Sequence, residues 1–129
     1  HKQPAVYLSD YHIYNTDYPA IVADLKVDIF NTVIDGGAEE EFIFDPIDFN
    51  RVTSTVENSA IKTKSGVPNY VISTDNIINL DFGFENVTKS NFHLKENSVL
   101  IGKGKDIQVL YDIEGKSRKT PPDIGAYEF

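Results

Sequence analysis

The chain has 129 residues, 40% hydrophobic and 25% charged, with 20 acidic and 12 basic side chains and a net charge of −8. That length makes one domain burying about two thirds of its unfolded surface, and the composition argues against disorder. The acidic balance disfavours nucleic acid and anionic headgroups, no run nears the ~20 apolar residues of a membrane helix, and without cysteine there is no disulfide or thiol chemistry.

The chain opens on His1-Lys2, contains no methionine and has no apolar signal segment at its start, so it reads as a piece cut from a longer protein. Residues 4–18 mix β-branched and aromatic side chains and predict one or two strands, with Asn15-Thr16-Asp17 and Pro19 as a turn. Tyr7, Tyr11, His12, Tyr14 and Tyr18 are the candidate glycan-contacting residues. A tyrosine ring stacks on a sugar face while its hydroxyl hydrogen-bonds; half-burial on a terminal coil is the competing explanation.

Leu25 to Ile34 carries the central pattern. Leu25, Val27 and Ile29 alternate with Lys26 and Asp28, and Asn31-Thr32 follows. Val52, Ser54 and Val56 repeat the alternation before Asn58-Ser59, and Leu80, Phe82 and Phe84 lead to Asn86. The three asparagines are 27 and 28 residues apart. A period-2 strand recurring at that interval predicts an all-β solenoid. Val33 and Ile34 are consecutive, which requires a corner near Asn31, and asparagine tolerates the left-handed backbone such a corner needs. Stacked about 4.8 Å apart, Asn31, Asn58 and Asn86 are expected to form an amide ladder.

Gly36-Gly37 breaks the chain before Glu39, Glu40 and Glu41, which run into Phe42-Ile43-Phe44 and the turn at Asp45-Pro46. With Asp48 these acids form the densest acidic cluster. No cofactor is expected, although the same set could bind calcium, and paired carboxylates also serve glycoside hydrolysis. The pattern matches no EF-hand spacing, and a charge run before a strand also serves as a solvated face that guards an edge. Thr63 to Asn69 predicts a loop, Tyr70-Val71-Ile72 a strand, and Ile77 to Phe84 the start of the last coil. Residues 103–123 read as irregular extended chain.

Several C-terminal segments can be set against a known family: Asn91-Phe-His-Leu-Lys95, Ser98-Val-Leu-Ile-Gly-Lys-Gly104, Asp112-Ile-Glu-Gly-Lys-Ser-Arg118 and Asp123-Ile-Gly-Ala-Tyr-Glu128. In this order they resemble the tail of secreted bacterial right-handed parallel β-helix proteins, the polysaccharide-lyase-like group ending in "DIGAYE". Phe82 and Val99 stand where that tail has proline. The resemblance implies β-helix coils over residues 1–90 and a capping tail over 91–129. Phe92, Leu94, Asp123, Gly125 and Tyr127 are the cap residues. It also implies an extracellular or cell-surface location and polysaccharide as a partner.

The resemblance transfers no catalytic residue. His12 and His93 are too few and too far apart for zinc. Arg118 and Lys119 could neutralise a uronate, although Arg118 lies within the tail motif. The expected function is therefore a non-catalytic terminal module, structural or glycan-contacting. The alternative is a fragment of a polysaccharide lyase or glycoside hydrolase whose active site lies upstream. An open first coil would also offer unpaired edges for self-association.

Overall fold

The computed structural model describes residues 3–13 and 19–129. Short strands alternate with tight corners along the whole chain. Around the central stretch, β4 (Asp28–Phe30) and β5 (Val33–Ile34) are separated by Asn31, whose φ is 49°. The corner expected there is present. The same unit follows as β7 (Thr55–Glu57) and β8 (Ala60–Ile61), with Asn58 at φ 46° between them. β4 pairs in parallel with β7, Asp28 opposite Thr55, and β5 with β8, Val33 opposite Ala60. Both pairings run at the 27-residue offset of the repeat.

The third unit is not the one expected. β7 pairs next with β9 (Ile72–Thr74), Thr55 opposite Ile72, and β8 with β10 (Ile77–Ile78). The offset has shrunk to 17 residues, and Asp75 at φ 53° takes the corner position that Asn31 and Asn58 hold above it. Leu80-Asp-Phe82 forms no strand in that sheet, and Asn86 ends β11 (Phe84–Asn86) instead. β11 folds back antiparallel on β12 (Asn91–Leu94) through a 3-10 turn at Val87–Lys89. At the other end, β1 (Val6–Leu8) pairs in parallel with β6 (Phe42–Phe44), and β2 (Tyr11–His12) pairs antiparallel with β3 (Ile21–Val22).

The expected right-handed parallel β-helix is therefore corrected. Among the described residues the chain is all-β, with strands of two to four residues in separate sheets of two or three. Parallel and antiparallel sheets are mixed, and none closes. The physical reason lies in the spacing: a repeat that falls from 27 to 17 residues and ends in an antiparallel hairpin does not continue one winding. The strands are also too short for any one ladder to carry the fold, so packing has to.

Two apolar clusters supply that packing. Ile34, Phe42, Val52, Val56, Ile61 and Val71 form one, with Phe42 edge-on to Phe44 at 5.3 Å. Ala60, Phe82, Leu94, Leu100 and Ile124 form the other, which joins the repeat to the tail. Burying each large member is worth roughly 1.5–3 kcal/mol. Buried hydroxyls cross-link the corners: the Val27 N–H donates to Ser54 Oγ at 3.1 Å and the Thr32 N–H to Ser59 Oγ at 3.2 Å. Every fully buried side-chain polar atom among the described residues has a partner, as a core at native quality requires.

Candidate functional site

The alternation of β1 and β6 builds the site. Tyr7 stands opposite Ile43 in the parallel register, and continuing β6 by two residues brings Asp45 to the same face. The Asp45 N–H donates to the Leu8 carbonyl at 2.8 Å, which fixes the carboxylate beside β1. Tyr7 Oη donates to Asp45 Oδ2, and Tyr11 Oη donates to the same oxygen at 2.9 Å. Asp45 is exposed, and Tyr7 keeps 50% of its surface. The hydrogen bond to Asp45, then that to Tyr11, pushes the Tyr7 phenol above its ordinary range.

A second aromatic pair stands beside this carboxylate. Phe49 and Tyr70 stack at 6.0 Å and 27°, and Phe49 is 58% exposed. Burial raises the Tyr70 phenol, and the Asp45 charge raises it further. Beneath them Asp10 organises the loop, accepting the Ile47 N–H at 2.7 Å and the Asp48 N–H at 3.0 Å. Burial pushes the Asp10 carboxyl upward, but these donors, its own N–H and the Arg51 charge together hold the group below its ordinary value. The result is a surface on which Tyr7 and Tyr11 share one exposed carboxylate, with the Phe49–Tyr70 stack within reach of its charge.

The predicted residues divide. Tyr7 and Tyr11 meet at Asp45, whereas His12 lies on β2 opposite Ile21. Tyr14 and Tyr18 lie outside the described residues. The acidic cluster is dispersed into separate structural tasks. Glu39 pairs with Lys64 at 3.7 Å on the surface. Glu40 accepts from the Thr63 hydroxyl and from Ser65, and those hydroxyl and N–H donors outweigh its burial to lower its carboxyl. Glu41 is buried and accepts the Ala5 and Ala38 N–H groups. Asp48 caps the 3-10 turn at Phe49–Arg51. Among the described residues no three acidic or histidine side chains converge as metal ligands.

The expected amide ladder is corrected as well. Asn31 and Asn58 sit at equivalent left-handed corners, but Asn31 Nδ2 donates to the Lys105 carbonyl at 2.7 Å and Asn58 Nδ2 to the Lys103 carbonyl at 2.9 Å. Tail backbone running beside the corners takes the donors that the ladder would have used. Asn86 has an extended φ of −158° and caps the turn after β11. Asn79, not anticipated, clamps Thr63 with both carboxamide atoms, accepting its N–H at 2.9 Å and donating to its carbonyl at 2.7 Å. Asn76 likewise accepts the Ser59 N–H and donates to the Val56 carbonyl. Their left-handed or turn setting in Asp75-Asn76 and Ile78-Asn79 was the available signal.

The cap residues border a second feature. Phe92, Leu94, Gly125 and Tyr127 line an open groove of about 910 Å³, with Phe84, Val87 and Ile124 on its walls and Asp35 at its lip. Asp123 is fully buried behind it, accepting the Gly102 and Phe129 N–H groups at 2.6 and 2.7 Å. His93 stacks on Tyr127 at 4.1 Å and contacts Glu114 at 3.0 Å. Both candidate uronate-binding cations are engaged. Arg118 donates to the Asp123 and Gly125 carbonyls and faces Glu128, and Lys119 donates to the Phe129 carbonyl.

Comparison with family models, curated proteins and solved structures finds no match to this chain.

Proposed function

We propose that the protein is a non-catalytic, glycan-contacting module of an exported, cell-surface protein. One observation carries this reading: Tyr7 and Tyr11 converge through their hydroxyls on one exposed carboxylate, Asp45, beside the stacked Phe49 and Tyr70. Aromatic faces with a polar rim suit a sugar, whose C–H face packs on a ring while its hydroxyls exchange hydrogen bonds with tyrosine and carboxylate. The hydrogen bonds among Tyr7, Tyr11 and Asp45 hold the rings in place before any ligand arrives, which lowers the ordering cost of binding. Arg118 and Lys119 are engaged within the tail, so neither is offered to a uronate. The likeness of Asp112–Arg118 and Asp123–Glu128 to tails of exported proteins supports the location.

Titration calorimetry against a panel of neutral and charged oligosaccharides tests the proposal. Binding on the order of 0.1–1 mM is expected, equivalent to roughly 4–5.5 kcal/mol, and Tyr7→Ala and Tyr70→Ala should each weaken it. Silence across the whole panel would remove the proposal.

A further inference from the structure

Resting on that reading, we infer that the glycan recognised at Asp45 carries protonated amines, as in amino sugars, rather than uronate or sulfate groups. The two phenol hydroxyls both donate to Oδ2. Among the described residues Oδ1 of Asp45 receives no donor, and no lysine or arginine pairs with this carboxylate. Arg51, a few residues along the same loop, is bound to Asp24 at 2.9 Å. Among the described residues this exposed carboxylate is therefore engaged through one oxygen only, by two tyrosine hydroxyls.

Each of these features favours a cation. An ammonium group on a sugar can donate to Oδ1 in a charge-assisted hydrogen bond, about twice as strong as a neutral one. The aromatic rings gathered at the site supply apolar surface for the sugar next to that charge. A uronate or sulfate would instead meet Asp45 as a like charge, within a chain whose net charge is −8. An N-acetylated sugar keeps the stacking and loses the ion pair. The amine is thus the group that separates good ligands from moderate ones.

The test compares a β-1,4-linked glucosamine tetramer, its fully N-acetylated counterpart and a galacturonate tetramer, at about pH 6, where the sugar amines are largely protonated. The amine tetramer should bind about tenfold tighter than the acetylated one, lose that advantage in high salt, and leave the galacturonate undetectable. Asp45→Asn should bring the amine and acetylated tetramers within about twofold of each other. Asp75→Asn, which removes the same charge from the exposed corner between β9 and β10, should keep the preference. A preference surviving Asp45→Asn, or lost equally in Asp75→Asn, would mean diffuse attraction to an acidic protein and would overturn the inference. If Asp45→Asn does not fold, the Asp45 carboxyl carbon resonance of the wild-type chain decides: it must move with the amine tetramer and not with the acetylated one. Equal binding of both tetramers, still weakened by Tyr7→Ala, would sink the amine inference and leave the glycan proposal standing. No binding of any tetramer would end both.

Discussion

Asn31 clamps Lys105 with both atoms of its carboxamide: Nδ2 donates to the Lys105 carbonyl and Oδ1 accepts the Lys105 N–H, each at 2.7 Å. A side chain here imitates the edge of a strand. The Asn31 carbonyl also accepts the Gly125 N–H at 2.9 Å, so one corner holds two separate segments of the tail. Asn31→Gly keeps the left-handed backbone and loses the clamp, whereas Asn31→Ala loses both. Urea unfolding should show a loss of about 1–2 kcal/mol for the glycine variant, and about 1 kcal/mol more for alanine at φ 49°. Equal losses would show that the backbone conformation is not what asparagine contributes.

Asp123 holds the tail from inside. Its carboxylate is fully buried and accepts two backbone N–H groups, from Gly102 and Phe129. Asp123→Ala leaves both donors unsatisfied and should cost about 3 kcal/mol. Glu96→Ala, on the exposed surface, should stay within about 0.5 kcal/mol. Chemical denaturation of the two variants side by side checks the difference.

Acid should unfold the chain through three carboxylates. Asp112 is lowered first by the Glu128 N–H, against its burial, and then by the N–H groups of Lys116 and Glu114 and the Arg118 charge. In Asp10 and Glu40 burial acts upward and is outweighed by their donors. A carboxyl lowered in the folded state binds its proton more readily when unfolded, so it stabilises the fold above the unfolded value. Those values are 3.8 for the aspartates and 4.5 for Glu40. The urea midpoint should therefore hold steady from neutral pH down to about 5 and fall as pH drops through the lowered folded values. Asp112→Asn should start lower and fall less. A variant tracking the wild-type curve in parallel would refute the assignment.

Tyr7 should resist alkali. Its donated hydrogen bond to Asp45 favours the neutral phenol, so it ionises above the ordinary 10.0. Stability from this bond is present below that value and is lost as pH rises through the folded one. Difference absorbance during an alkaline titration should show two late tyrosines, Tyr7 and Tyr70, and in Asp45→Asn Tyr7 should ionise earlier while Tyr70, raised chiefly by burial, stays late. If neither tyrosine moves in that variant, another group holds the Tyr7 phenol.

Local features of this chain were readable residue by residue. The alternation before Asn31, the corner it makes and the second copy ending at Asn58 follow from side-chain periodicity and from the few residue types that accept a left-handed backbone. The break at Gly36-Gly37 and the strand at Phe42–Phe44 belong to the same class. These are properties of a few neighbouring residues, and sterics settles them before the rest of the chain is placed.

Tertiary structure decided everything that depends on which segments meet. Ile72 rather than Leu80 became the third partner of the sheet, because pairing takes the strand that the chain brings into reach, not the one at a regular interval. The asparagine carboxamides turned to tail carbonyls, which run beside the corners. Tyr11 and Asp45 came together across 34 residues. Neither residue type nor spacing foretells such a contact, because it exists only once β1 and β6 have found their register.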